Sequence, residues 1–233
     1  MNALHGLTVL DLTRLLPGPF CTLLLADMGA DVIKIEEPVV GDAARHFTPQ
    51  QGDTGSLFLL VNRNKRSLGL DLKTADGRAL LLQLVERADV LVESYRPGVM
   101  DRLGLGYDDV LAKRNPRLIY ATLSGFGQSG PYRERAGHDL NYIALAGLLG
   151  FNLDAQAQPV TPAVQVADLG GGTLAAVAIL AAVVSRQQTG KGQAVDVSLF
   201  GSAIAWLPTL IGSWFSQAPA VETTPPPLAG GLA

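Results

Sequence analysis

Two residues of this chain have the type and setting for proton chemistry near neutral pH. His138 lies in Ala136-Gly137-His138-Asp139-Leu140-Asn141-Tyr142, and Asp168 follows thirty residues on in Ala167-Asp168-Leu169-Gly170-Gly171-Gly172. An imidazole changes charge between about pH 5 and 8, and a carboxylate can share proton transfer with it. His5 and His46 lie in plainer contexts. A histidine after glycine and before a possible helix cap stands at a backbone corner, where a side chain can face a cleft. A structural account stands beside this one and is the commoner case: His138 half-buried and hydrogen-bonded, Asp168 a helix N-cap.

Other segments carry weaker signals. Gly125-Phe126-Gly127-Gln128-Ser129-Gly130 matches G-x-G-x-x-G, but Pro131 to Arg135 follow where a dinucleotide site needs a helix start, so the expectation is a glycine-rich loop that lets substrate approach the backbone. Arg63, Lys65 and Arg66 put three cations in four residues, Lys73 follows, and Arg96 stands just beyond a strand; these are solvated charges or a local phosphate site. Leu16-Pro17-Gly18-Pro19-Phe20 is a proline-started helix whose free N–H groups could face an anion or oxyanion. Gly190-Lys191-Gly192 is a helix C-cap rather than a phosphate loop. No metal-ligand spacing and no Gly-x-Ser-x-Gly elbow occurs.

The elements that must position these residues follow a β-α rhythm. Strands are expected at 7–12, 31–36, 67–72, 89–93 and 118–123, with helices at 19–28 and 76–86 and two short ones near 99–103 and 108–113. Beyond residue 138 the pattern turns helical, at 139–149, 172–188 and 197–215. The implied class is α/β, a Rossmann-like, mostly parallel sheet with flanking helices followed by a helical segment, with ligands beyond the carboxyl ends of the strands. A large domain over 1–220 (core about 1–135, helical part about 136–220) then leads into a stiff linker, 221–233, toward a second, small domain missing from the chain. With 233 residues, 48% hydrophobic and 17% charged, the chain suits a packed globular core, and its net charge of −3 gives no general attraction to nucleic acid or anionic membrane. The uncharged stretches 169–185 and 197–221 are expected to be buried helices rather than membrane spans. One cysteine, Cys21, and no signal peptide fit a reducing, cytoplasmic setting.

Several segments together resemble the N-terminal part of a family III CoA-transferase. They are Leu15-Leu16-Pro17-Gly18-Pro19-Phe20, Gly29 to Glu36, Asn64-Lys65-Arg66-Ser67-Leu68, Asp71-Leu72-Lys73, Arg96-Pro97-Gly98-Val99, Ser124 to Gly130, Gly137-His138-Asp139 and Thr189 to Gln193. The resemblance implies a CoA thioester as substrate with no permanently bound cofactor, and two interlocked subunits. It implies that Arg63, Lys65, Arg66, Leu70, Lys73 and Arg96, with Gly137, Asp139, Asn141 and Tyr142, hold the CoA moiety. It also implies that Asp168 is the central carboxylate: a nucleophile in transferases, or a proton-transfer partner of His138 in racemases. Gly-His-Asp-Leu-Asn-Tyr matches the α-methylacyl-CoA racemase type, whereas Glu37 departs from the arginine common there and would repel phosphate.

Overall fold

The computed structural model describes residues 2–216, so the expected linker at 221–233 lies outside the described residues. In chain order the elements are β1 (Thr8–Leu12), α1 (Pro17–Asp27), β2 (Asp31–Glu36), a small hairpin of β3 (Gln50–Gln51) and β4 (Thr54–Gly55), α2 (Ser56–Val61), β5 (Lys65–Gly69), α3 (Ala75–Val85), β6 (Val90–Glu93), α4 (Val99–Arg102), α5 (Ala112–Arg114), β7 (Ile119–Ser124), α6 (Asp139–Leu145), α7 (Val166–Thr189), β8 (Ala194–Ser198), α8 (Leu199–Ala205) and α9 (Pro208–Ser216). Six strands form one parallel sheet in the order β5-β2-β1-β6-β7-β8. The order reverses between β1 and β6. In a doubly wound sheet that reversal opens a crevice at the strands' carboxyl ends, because the crossovers leave in opposite directions.

Both sheet faces are covered, so the central strands are apolar on both sides. Val9, Val32, Val90, Val92 and Ala121 face a core shared with Cys21 and Leu25 of α1 and Ala175 and Ile179 of α7. The alternate residues Leu10, Leu12, Leu91 and Tyr120 face a second core with Leu81 and Val85 of α3 and with Met100, Leu105 and Leu111. A third, smaller cluster joins Tyr142 and Ile143 of α6 to Ala167 of α7 and Leu199 and Ala203 of α8.

Helix α7 is by length and composition able to cross a membrane, but its Ala175, Ala176, Ile179 and Ala182 pack against the sheet and α1. It begins at Val166, six residues before the expected start at 172, and carries Gly170-Gly171-Gly172 inside its first turns. A Cβ on Gly172 would stand 2.5 Å from the Pro17 carbonyl oxygen, one on Gly171 2.4 Å from Leu199 Cδ2, and one on Gly170 2.2 Å from Trp206 Nε1. The glycines are therefore the contact through which α7 meets α1 and α8, and tertiary packing overrides their poor helix propensity.

Other expectations are corrected as well. β5 spans 65–69 rather than 67–72, α2 was not anticipated, and β8 lies where helix was expected from 197. That helix is instead β8, α8 and, after Leu207, α9 starting at Pro208. Gly190, with φ 72°, closes α7 as the expected C-cap.

Candidate functional site

A buried ionic framework fixes the crevice at the β1–β6 reversal. Asp11, near the end of β1, accepts from the Thr13 backbone N–H (2.9 Å) and hydroxyl (2.5 Å), from the Thr22 hydroxyl (2.6 Å) and from Lys65 Nζ (3.1 Å). Lys65 Nζ also donates to Pro19 O at 2.8 Å, Thr22 Oγ1 at 2.7 Å and Asn62 Oδ1 at 2.9 Å. Lys34 donates to Thr13 O at 2.8 Å and pairs with Asp42 at 3.0 Å, while Asp42 receives the Leu15 N–H at 3.2 Å. Burial works against all these charges, yet Lys34 and Lys65 hold Asp11 below the usual carboxylate range. A buried charge costs several kcal/mol unless paired and bonded as these are. The effect is to clamp residues 13–16, with Leu15 at φ 65°, and so to aim Arg14 outward.

Arg14 donates its N–H to Ser94 Oγ at 3.2 Å and sets its guanidinium 5.3 Å from the centre of the Tyr95 ring. Beside this pair runs a cleft of about 690 Å³ along the carboxyl ends of β1, β2, β5 and β6, lined by Arg14, Glu36, Glu37, Leu70, Lys73 and Tyr95 among others. Lys73 also borders an adjoining open basin of about 650 Å³ with Arg78 and Arg102. Glu36 is taken up by Arg45 (2.8 and 2.7 Å), Ser67 (2.7 Å) and the Asp42 N–H (3.0 Å), which overcome burial and hold its carboxyl at about 2. Glu37 turns its carboxylate to the N–H groups of Val39 (3.0 Å) and Val40 (2.5 Å) in its own turn. These bonds hold the carboxylate in its own turn.

Asp168 occupies the third position of α7, where a carboxylate commonly caps free N–H groups and has its acidity strengthened. Here the cap comes from elsewhere. Asp139 Oδ1 accepts the N–H groups of Ala167 (2.7 Å) and Asp168 (3.0 Å), so the Asp168 carboxyl is relieved of capping. Burial, and then the charge of Asp139, push Asp168 up to about 7. The structural alternative, Asp168 as N-cap, is thereby replaced: Gln165 holds the N-cap position and Asp139 supplies the cap oxygen.

His138 is the N-cap residue of α6, exposed, with its N–H donated to Asn141 Oδ1 at 3.0 Å. It adjoins Asp139, so the starts of α6 and α7 meet, with His138 one residue from the side chain that caps the helix of Asp168. Tyr142, buried, donates its hydroxyl to Gly137 O at 2.6 Å and packs edge-on against Phe126 at 5.3 Å. Its hydroxyl is pushed up to about 12 by burial and then by the charges of Asp168 and Asp139. Cβ atoms on Gly125 or Gly137 would fall within 3 Å of Tyr142, so both glycines are required by this close approach.

The structure thus redistributes the residues expected to hold a CoA moiety. Leu70 and Lys73 line the cleft, and Arg96 is exposed at the same edge. Lys65 is buried and fully spent on structure. Arg63 pairs with Asp27 at the end of α1 and Arg66 with Asp31 at the start of β2, both at the opposite, amino edge of the sheet. Gly137, Asp139, Asn141 and Tyr142 shape the α6–α7 corner. At the start of α1, Pro17 and Pro19 lack N–H groups and the Phe20 N–H bonds to Leu16 O at 2.9 Å, so of these residues Gly18 alone keeps an N–H that could face an anion. No helix opens in the Gly125–Gly130 loop; Asp196 holds its Gln128 N–H at 2.9 Å. Arg14, Tyr95 and the capping role of Asp139 were missed. Arg14 is legible only once the strand order marks residues after β1 as the crevice. Among the described residues no group of three or more His, Cys, Asp or Glu could hold a metal ion.

The chain is similar to known proteins in sequence and in fold. The sequence pattern of CoA-transferase family III matches residues 4–226. The acetyl-CoA:oxalate CoA-transferase of Acetobacter aceti is 44% identical over 210 residues, 90% of this chain and 54% of the relative. Human alpha-methylacyl-CoA racemase is 42% identical over 218 residues, 91% of this chain and 53% of the relative. A CAIB/BAIF family protein from Brucella suis superposes with a TM-score of 0.90 at 36% identity, over 95% of this chain and 59% of that one. The chain spans about half the length of the curated relatives it matches.

Proposed function

Because the chain belongs to CoA-transferase family III, we propose that it acts on acyl-CoA thioesters and that His138 and Asp168 move the proton α to the thioester carbonyl, racemising or epimerising a 2-methylacyl-CoA. The observation that carries this reading is the Asp168 carboxyl, relieved of capping and held at about 7. A group that takes up and returns a proton is most effective when both its forms are populated at working pH. In one direction Asp168 removes the α-proton, an enolate forms, and imidazolium His138 returns a proton to the other face; in reverse the roles exchange. The CoA phosphates fit the cations at the sheet's carboxyl edge, Arg14, Lys73 and Arg96, with Arg78 and Arg102 beside them. We further propose a cytoplasmic setting and, in the full-length form, two interlocked subunits, which fractionation and sedimentation velocity test.

A second reading uses the same carboxylate as a nucleophile. Attack of Asp168 on the thioester carbonyl expels the CoA thiolate and leaves an aspartyl mixed anhydride; a second carboxylate attacks the Asp168 carbonyl and releases the first acid, and the thiolate then attacks the acceptor's carbonyl in the new anhydride, giving its CoA thioester and free Asp168. It is favoured by the 44% identity to an acetyl-CoA:oxalate CoA-transferase. One experiment separates the two. The chain is incubated with 2-methylacyl-CoA in deuterated water, with and without an added carboxylic acid. Deuterium at the α-carbon, lost in His138→Ala, supports proton transfer. CoA transfer that survives His138→Ala, with a hydroxylamine-sensitive adduct at Asp168, supports the nucleophile. CoA binding with neither turnover makes the chain a non-catalytic CoA-binding part that needs a partner chain.

A further inference from the structure

Glu93 ends β6 at the strand-order reversal, and its side chain is buried without a cation bonded to it. Its Oε2 accepts the Tyr95 N–H at 2.5 Å and its Oε1 the Tyr120 hydroxyl at 2.9 Å. Around it, Tyr120 on β7 is stacked by Tyr107 at 5.2 Å, and β1 presents Leu12 in register. The charged side chains acting on it are Asp101 on α4 and Asp196 on β8, both acidic. The Tyr95 ring, bonded through its own N–H to Glu93, lies under Arg14. A buried carboxyl in acidic company disfavours folding in its charged form. The apolar neighbour Leu12 indicates that the sheet itself does not require a polar residue there.

What the carboxylate does hold is a loop. Tyr95-Arg96-Pro97-Gly98 leaves β6 and turns into α4 through Gly98 at φ 76°, and Pro97 has no N–H to anchor it. The Tyr95 N–H is the point where this loop is tied to the buried end of β6. The loop carries the ring under Arg14 and the exposed Arg96, two of the cations at the crevice.

We propose that Glu93 is a positioning residue for acyl-CoA binding: through the Tyr95 N–H its carboxylate sets the loop that presents Arg14 and Arg96 to the CoA phosphates. This rests on the CoA reading above. A hydrogen bond to a charged acceptor is roughly twice as strong as one to a neutral acceptor. Protonation of Glu93 replaces an acceptor site by a donor and loosens the tie. Burial raises the Glu93 carboxyl to about 7 against the lowering pull of the Tyr95 and Tyr120 bonds, with Asp101 and Asp196 adding to the rise. The loop is therefore held firmly at pH 8 and weakly at pH 6.

Calorimetric titration of CoA into the full chain, from pH 5.5 to 8.5, tests this in wild type and Glu93→Gln. Wild type is expected to lose about tenfold in affinity between pH 8 and 6 beyond what the CoA 3′-phosphate contributes, its own second ionisation lying near about 6. Glu93→Gln is expected to bind about tenfold more weakly at pH 8 and to lack the added step, with kcat at saturating substrate little changed. A merely structural role would not move the midpoint of that step. Independently of any variant, the Tyr95 amide proton of wild type should move upfield as pH falls, with a midpoint at about 7. CoA binding with the same pH slope in both proteins, or a Tyr95 amide that does not titrate, overturns this inference alone. No CoA binding by wild type at any pH overturns the CoA reading and this inference with it.

Discussion

Asp139 acts on Asp168 in two separable ways, and its substitution tells them apart. One oxygen caps the Ala167 and Asp168 N–H groups at 2.7 and 3.0 Å, and its charge opposes ionisation of the Asp168 carboxyl. Asp139→Asn keeps a capping oxygen and removes the charge. Asp168 stands at about 7 against an ordinary 3.8, a rise of about three pH units (7 less 3.8), and burial is the larger cause. The charge of Asp139 then accounts for less than half of the rise, and its removal brings Asp168 down by about one pH unit, to about 6. At pH 6 the ionised fraction rises from about one tenth to about one half. Carbon-detected NMR titration of the aspartate carboxyls reads this directly, and the acidic limb of α-proton exchange should move down with it. Asp139→Ala removes the cap as well, which costs about 1–2 kcal/mol. It should lower Tm by roughly 2–4 °C per kcal/mol in a domain of this size, beyond any change in Asp139→Asn. An Asp168 titration in Asp139→Asn that overlays wild type would falsify the claim that Asp139 tunes it. Equal Tm values for the two variants would remove the capping role.

Three further outcomes follow from the framework around the site. Lys65→Met leaves the buried Asp11 carboxylate short of a cation and should cost about 3–5 kcal/mol in urea unfolding, any loss of CoA affinity coming with it through the clamp on Arg14; a loss of affinity without a loss of stability would return Lys65 to the ligand. Gly172→Ala gains about 1 kcal/mol of helix propensity but drives a Cβ to 2.5 Å from Pro17 O, so overpacking of about 1–3 kcal/mol should leave it net destabilised; a rise in Tm would mean that α1 yields without cost. Glu36 is held at about 2, below its ordinary 4.5, so its stabilisation is fully present above pH 4.5 and is lost as pH falls through 2. Glu36→Gln should accordingly lose ~2 kcal/mol at pH 7 and converge with wild type near pH 2, measured by thermal melts; a constant difference across pH would show that packing, not charge, makes the loss.

Periodicity located the central strands because burial on both faces leaves an unbroken apolar run, as in Val90-Leu91-Val92. The same rule hid β8. Ala194-Val195-Asp196-Val197-Ser198 carries a charge at its centre, and only the finished fold gives Asp196 its partners, the Thr122 hydroxyl at 3.1 Å and the Gln128 N–H at 2.9 Å. The glycines of α7 were placed at the helix start for a sound local reason, and local propensity has no term for the backbone of α1 standing where a Cβ would be. The cation run at 63–66 could not be sorted either. β5 sends Lys65 and Arg66 to opposite faces, and Arg63 precedes the strand across Asn64 at φ 62°, so Lys65 is buried while Arg63 and Arg66 stay with surface carboxylates.

For the proposed pair, His138 and Asp168, the limit is sharper. The order Gly-His-Asp sets His138 beside Asp139, but whether Asp168 is a cap or a free acid depends on which carboxylate reaches the first N–H groups of α7. Two helices separated by some twenty residues of loop decide that by meeting end to end. Because Asp139 takes the N–H groups, Asp168 loses the donors that would have strengthened its acidity and gains a like charge nearby. Burial supplies most of the rise at Asp168, and the capping exchange between the two aspartates removes the donors that would have opposed it and adds a like charge, so that the carboxyl can hold a proton at neutral pH.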